Sequence, residues 1–246
     1  HGQTIYHNAK EKISKQLGNG RLLSQLTKKN IINNFRQNDI HNGGEGAPLA
    51  PIFHQLITTQ KRMKLPVCIL NIGGISNITI IAEPVGSFGF TSKDIGPGNC
   101  LIDNWIRKNT KKKFDQDGLL AAKGYVNEVV IEQVQELFSN RLNKKNLSLD
   151  INDFDVSFAR GLTLEDGAAT LTDFTAKIIG ASLQSSITDL GDKATKVLVC
   201  GGGRKNKFLI EKIKKNTLDN IIIEPIDKYG INGDFVESQA FAFSAI

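Results

Sequence analysis

One carboxylate in this chain is followed by unusual punctuation. Asp94 lies in Ser92–Ile106, SKDIGPGNCLIDNWI, just ahead of Gly96, Pro97, Gly98 and Asn99. Glycine frees the backbone and proline fixes one dihedral, so the stretch reads as a stiff turn carrying Asp94. Leu101, Ile102, Trp105 and Ile106 then recur at helical spacing. A carboxylate held within hydrogen-bond reach of a proton can serve as a general base. It can equally cap its own turn by accepting backbone N–H groups, and the residue pattern leaves both readings open. Asp103, further along, reads as a surface or capping group.

Two glycine segments have the chemistry of anion binding. In Asn71–Asn77, NIGGISN, Gly73 and Gly74 separate two β-type runs. Such a pair makes either an ordinary hairpin turn or a concavity of N–H groups able to hold phosphate oxygens. In Val199–Asn206, VCGGGRKN, Gly201, Gly202 and Gly203 end an apolar run and precede the helical KFLIEKIKK. Ligands of open α/β sheets sit at the carboxyl ends of strands, and a helix N-terminus there favours anions. The spacing is neither a Walker A loop nor the dinucleotide fingerprint, and a tight strand-to-helix turn explains the glycines as well. A third set of polar residues surrounds other loops: His1, Gly2, Gln3 and Thr4, then Arg36 and Asp39 in NFRQNDI, and Glu45 in GGEGAP. These can line a sugar pocket or fix their loops. Glu237, in GDFVESQAFAF, faces either a cleft or solvent, and Asp234 stands where a helix N-cap would be.

The elements that must position these groups alternate between α and β. NIINNF is a strand candidate, HNGGEGAPLAP a loop, and IFHQLI a short helix. Val67–Leu70 and Ile75–Ile81 read as strand, tight turn, strand. A long helix is expected after Gly118, with a stripe from Leu119 to Leu137 that Gly124 interrupts. A second is expected over Gly167–Thr188, whose small residues suit close packing. Lys196–Cys200 and Ile221–Ile223 read as strands, and VESQAFAFSAI as a closing helix. The charged RKNTKKKFDQDG suggests a boundary between two patterned regions.

Composition narrows the classes. The 246 residues are 40% hydrophobic and 23% charged, which suits a globular core. The net charge of +6 is spread out, with one short run at Lys111–Lys113 and no aromatic interleaving, so nucleic acid is not an expected partner. Cys68, Cys100 and Cys200 lack metal-ligand spacing and read as small buried hydrophobes of a reducing compartment. The longest apolar runs fall far short of the roughly 18 residues of a membrane span, and the expected location is the cytoplasm.

Taken in order, the segments resemble one family, anhydro-N-acetylmuramic acid kinase, within the sugar kinase and actin-like ATPase superfamily. The resemblance rests on HGQT at His1–Thr4, NFRQNDIHNGGEGAPLAPIFH at Asn34–His54 and NIGGISN at Asn71–Asn77. It continues through DIGPGN at Asp94–Asn99, GAATLTDFTA at Gly167–Ala176, CGGGRKN at Cys200–Asn206 and GDFVESQAFAF at Gly233–Phe243. It implies an α/β, two-lobed, ribonuclease H-like fold, here truncated at its N-terminus, with residues 1–105 the remainder of the first lobe and 106–246 the second. It implies a bacterial enzyme of peptidoglycan recycling. That enzyme converts 1,6-anhydro-N-acetylmuramic acid, ATP and water to N-acetylmuramic acid 6-phosphate and ADP, with Mg²⁺ accompanying ATP.

By the same resemblance Asp94 is the catalytic base. Asn71, Gly73, Gly74, Gly96, Gly98, Asn99, Gly201, Gly202, Gly203 and Asn206 contact ATP, while His1, Gly2, Gln3, Thr4, Arg36, Asp39 and Glu237 face the amino sugar. Three departures stand out. The family's first phosphate loop, upstream of HGQT, is not in the sequence. Ile95 replaces a threonine. NLSLDINDFD and SFARGLTLEDG stand where the family has a Lys-Ser-Thr-Gly-Arg-Glu segment. The expectation is weak ATP binding by this chain alone, with a homodimer or a separately supplied N-terminal segment as its partner. The alternative is an inactive or split remnant that serves only as a binding module.

Overall fold

The structure is a computed structural model that describes residues 3–85, 89–142, 149, 151, 154–188 and 195–246. It groups into two compact units, one of residues 1–54 with 237–246 and one of residues 55–236.

The larger unit is built on a five-stranded mixed sheet. Its strands are β3 (Val67–Ile72), β4 (Ile75–Ile81), β5 (Phe90–Pro97), β6 (Thr195–Cys200) and β7 (Ile221–Pro225), in the order β5-β4-β3-β6-β7. β4 pairs antiparallel with both β3 and β5, while β6 runs parallel to β3 and β7 parallel to β6. β3, β5, β6 and β7 therefore point the same way. This is the α/β, ribonuclease H-like sheet that the resemblance implies. β3 is central and buried at every position but Asn71, which explains its nearly continuous apolar run. Pro97 closes β5 at the sheet edge, where a missing N–H is tolerated.

One face of the sheet carries α4 (Cys100–Asn109), α6 (Leu164–Thr188) and α7 (Lys207–Lys215), and their contact forms the core. The small residues of α6 let neighbours approach closely. At Gly167 the Trp105 ring occupies the space of a side chain, and at Gly180 the Asn216 backbone does. Trp105 Nε1 donates to Leu164 O at 2.9 Å, so the ring is anchored as well as packed.

The helix expected from Leu119 begins only at Glu128, as α5 (Glu128–Leu142). Side chains divert the amides ahead of it. Asp115 accepts Leu120 N–H and Ala121 N–H, both at 2.9 Å, Asp166 accepts Tyr125 N–H at 2.7 Å, and Thr170 accepts Asn127 N–H at 3.0 Å. Gly124 lies directly against the backbone of Glu165. The expected division at residue 105 does not coincide with the compact units either. It falls inside α4, and it separates β3–β5 from β6 and β7, which are hydrogen-bonded into one sheet.

The smaller unit holds an antiparallel ribbon of β1 (Gln3–Asn8) and β2 (Ile13–Leu17), then α1 (Gly20–Thr27) and α2 (Phe35–His41). It includes the first part of α3 (Pro51–Gln60) and most of α8 (Val236–Phe243). Phe35 meets Phe241 edge-on at 5.5 Å, and Phe53 meets Phe243 at 5.9 Å. The strand expected in NIINNF is not formed. Residues 30–34 find no strand partner among the described residues, Asn34 is left-handed at φ 66°, and helix α2 starts at Phe35. No described helix is long and apolar enough to cross a membrane.

Replacing Gly167 with Ala drives a methyl group into the Trp105 ring. The expected loss is about 1–3 kcal/mol of stability, read from urea unfolding followed by the fluorescence of Trp105, the one tryptophan. An unchanged midpoint would contradict this packing.

Candidate active site

The parallel strands place four connections at one end of the sheet: the Gly73–Gly74 turn after β3, the Gly98–Asn99 turn after β5, the Gly201–Gly203 loop after β6, and residues 226–234 after β7. This is where open α/β sheets hold ligands. Backbone joins the first two turns. Gly98 N–H donates to Gly74 O at 2.9 Å, Asn99 N–H to Gly73 O at 2.8 Å, and Cys100 N–H to Gly74 O at 3.2 Å. Asn99 Nδ2 adds bonds to Gly73 O at 3.0 Å and Ile72 O at 3.3 Å. A side chain at Gly98 would overlap Gly73 O. Asn99 and Gly98 thus lock one turn onto the other.

Asp94 is not on the turn, as the sequence suggested, but inside β5 opposite Asn77. A bulge between Ser76 and Asn77 follows, so Asp94 and Gly96 face successive β4 residues while Ile95 is the extra one. Ile95 is 4% exposed and belongs to the hydrophobic core. Gly96 needs its φ of 146°, and Ile178 of α6 fills the space beside it. Asp94 Oδ2 accepts Leu149 N–H at 3.0 Å. Burial raises the Asp94 pKa, and the Leu149 bond opposes that shift. Asp103, in the first turn of α4, is also half-buried, and burial pushes its carboxyl up to about 6 against the pull of Arg107.

The Gly201–Gly203 loop is held from two sides. Toward β3, a side chain at Gly201 would meet Asn71 and Ile72, and one at Gly203 would meet the Ile72 side chain. Asn71 Oδ1 also accepts the Cys200 thiol at 3.7 Å. On the other side stands Arg204, which the sequence reading did not single out. Its side chain is 7% exposed and grips Asp227 through Nε at 2.8 Å and Nη2 at 3.1 Å. Its Nη1 donates to Gly201 O at 2.9 Å and Asp234 at 2.6 Å. Asp234 therefore pairs with Arg204 and Lys205, and its carboxyl drops to about 2 through these bonds. Helix α8 starts beyond it at Val236, so it is not the expected N-cap. Asn206 is buried, and its Oδ1 caps α7 by accepting Leu209 N–H at 3.0 Å.

Most described glycines have a local reason, either positive φ or no room for a side chain. Gly73 and Gly202 alone among them combine an ordinary φ with at least ordinary van der Waals space, and around Gly202 nothing lies within 4 Å. The two lie on the two loops whose glycines suggested anion binding.

The residues expected to face a sugar lie in the smaller unit. Arg36 Nη1 donates to Gly46 O at 2.9 Å, while its buried Nε has no partner among the described residues. Burial lowers the Arg36 pKa and Glu237 opposes the shift, which brings these two charges into one environment. Asp39 Oδ2 accepts Gly46 N–H at 2.8 Å and so closes the Gly43–Gly46 loop. Thr4 is exposed on β1, and its hydroxyl accepts Gln16 Nε2 at 3.3 Å. His1, Gly2 and the side chain of Gln3 lie outside the described residues. Among the described residues no group of three or more His, Cys, Asp or Glu is placed to hold a metal.

A carboxyl whose pKa is raised by folding binds its proton more tightly in the native state. Its contribution to stability is present at low pH and is lost as pH rises through the folded value. Asp94→Asn is therefore expected to raise the melting temperature at pH 7, with the gain vanishing near pH 4. Thermal unfolding of both proteins across that range checks it, and an equal or lower melting temperature at pH 7 would contradict the burial of this charge.

Comparison with known proteins agrees with the order of the motifs. The family model described as anhydro-N-acetylmuramic acid kinase matches residues 1–246. A Pelagibacter ubique protein of that name is 54% identical over 246 residues, which are 100% of this chain and 65% of the relative. One from Zymomonas mobilis is 36% identical over 247 aligned residues, covering 100% of this chain and 64% of the relative. The chain thus spans a little under two thirds of the length of these relatives. Among solved structures, the activator of 2-hydroxyisocaproyl-CoA dehydratase from Clostridium difficile, with bound ADPNP, aligns with a TM-score of 0.42 and 14% identity. That alignment covers 74% of this chain and 60% of the activator. The family model spans every residue of the sequence, and the chain belongs to the anhydro-N-acetylmuramic acid kinase family.

Proposed function

We propose that this chain carries the nucleotide loops and the catalytic carboxylate of an ATP-dependent anhydro-N-acetylmuramic acid kinase of bacterial cytoplasm, acting in peptidoglycan recycling. The observation that carries the reading is the pair Gly73 and Gly202, two glycines that neither backbone strain nor crowding accounts for, at the same end of one sheet. A bound phosphate chain needs bare backbone at such points. Gly73 and Gly74 would then meet phosphate oxygens, Gly201–Gly203 the adenosine side, and the lock formed by Gly98 and Asn99 would keep the first loop rigid.

Asp94 takes a proton from water as that water's oxygen bonds to the anomeric carbon of the 1,6-anhydro sugar. The bond from that carbon to O6 breaks, and its electron pair stays on O6. O6 then attacks the γ-phosphorus of ATP, and ADP leaves. The partial burial of Asp94 supports this role, because a raised pKa makes it a stronger base than an exposed aspartate. Arg36, whose buried Nε–H has no partner among the described residues, and Glu237 would meet polar groups of the sugar. Mg²⁺ would enter with ATP and be held mainly by its phosphates, as is usual for this ion in kinase and ATPase sites.

Two experiments test these statements. In calorimetry with Mg·ATP, Gly202→Val should weaken binding at least tenfold while changing stability by no more than about 0.5 kcal/mol. Unchanged affinity would remove Gly202 from the site. In a mass-spectrometric assay for N-acetylmuramic acid 6-phosphate, whatever product the chain forms should fall by a factor of about 10²–10⁴ in Asp94→Asn. Equal product from both proteins would exclude Asp94 as the base.

A further inference from the structure

Arg204 directly follows the Gly201–Gly203 loop, and its geometry is that of an internal fastener. Four of its contacts are hydrogen bonds of 2.6–3.1 Å: two to Asp227, one to Asp234 and one to Gly201 O. A guanidinium has five N–H donors, so little capacity remains for a ligand. Two carboxylates also surround the cation, which cancels the charge it would offer to phosphate. The far side of the clamp is equally fixed. Gly233 N–H donates to Asp227 Oδ1 at 3.2 Å, Gly201 N–H donates to Gly233 O at 3.0 Å, and a side chain at Gly233 would overlap the guanidinium. Gly202, the open point of the loop, lies between the β3 contacts of Gly201 and Gly203 on one side and this clamp on the other.

We propose that Arg204 is the positioning residue of the nucleotide loop, holding Gly201–Gly203 to the segment after β7 through Asp227 and Asp234 rather than touching phosphate itself. The proposal rests on the nucleotide reading of this loop. It has a consequence opposite in sign to simple electrostatics. Removing the Asp227 charge makes the region more positive, and that alone would tighten the binding of an anion. If Arg204 acts as a fastener, Asp227→Asn loosens the loop and weakens binding instead.

The test is calorimetry with Mg·ADP on the 246-residue chain and on Asp227→Asn, Arg204→Gln and Arg204→Lys. All three variants are expected to bind roughly tenfold more weakly. Lysine is not expected to rescue, because it cannot form the two-pronged contact with Asp227. Tighter binding by Asp227→Asn, or wild-type affinity in Arg204→Lys, would make Arg204 a direct phosphate ligand and overturn the proposal. Amide hydrogen exchange on the ligand-free proteins gives a second readout. Exchange at Gly201, whose N–H donates to Gly233 O, should quicken at least tenfold in Arg204→Gln and Asp227→Asn, while Ile69 and Leu70 in central β3 keep their protection and show the fold intact. Unchanged loop exchange overturns the clamp. Should the wild-type chain bind no Mg·ADP, the nucleotide reading falls, and the exchange rates decide whether Arg204 fastens this loop.

Discussion

The carbonyls of Gly73 and Gly74 are the point on which the rest of the larger unit depends. They accept the N–H groups of Gly98, Asn99 and Cys100, so the turn after β3 and the turn after β5 become one piece of backbone. That bond set fixes where β5 ends, where α4 starts, and how far Asp94 stands from the loop after β3. It is made from main chain, so it restricts sequence mainly through space: Gly98 cannot carry a side chain, and Asn99 supplies a second donor to the Gly73 carbonyl. A ligand loop braced in this way keeps its shape before anything binds, which is what electrostatic preorganisation requires.

The same economy of charge runs through the neighbouring loop. Arg204, Lys205, Asp227 and Asp234 satisfy one another, and the open face is left to glycine. The Arg204 cation beside this loop is therefore committed to structure. In the proposed site, recognition of an anion at this end of the sheet falls to backbone N–H groups and to whatever accompanies the anion. Near Asp94 the balance differs. Among the described residues its carboxylate has one N–H partner, it lies opposite Asn77, and burial favours its protonated form.

Much of this was legible in the sequence because it was local. The β3–β4 hairpin, the strand into Gly201, and helix α6 with its small residues all follow from periodicity and glycine placement. What was not legible depended on partners distant in the chain. Asp94 was expected on a turn, but pairing with β4 extends the strand through it to Pro97. Residues 119–127 have a helical stripe, but Asp115, Asp166 and Thr170 take their amides first. NIINNF has strand-like residues and no neighbouring strand among those described. The Arg204–Asp227 pair joins residues from two different strand ends, and nothing in either segment announces the other. The glycine motifs were visible from the start, whereas the division between glycines required by packing and glycines left bare needed coordinates.

The proposed site sets a phosphate chain against bare backbone at the carboxyl ends of β3 and β6. An amide chemical-shift map of the isotopically labelled chain, titrated with Mg·ATP, tests it most directly. The largest changes are expected at Gly73, Gly74, Gly202 and Gly203, with smaller ones at Gly98 and Asn99 through the lock. Changes confined to other surfaces, with these six amides unmoved at saturating nucleotide, would contradict it.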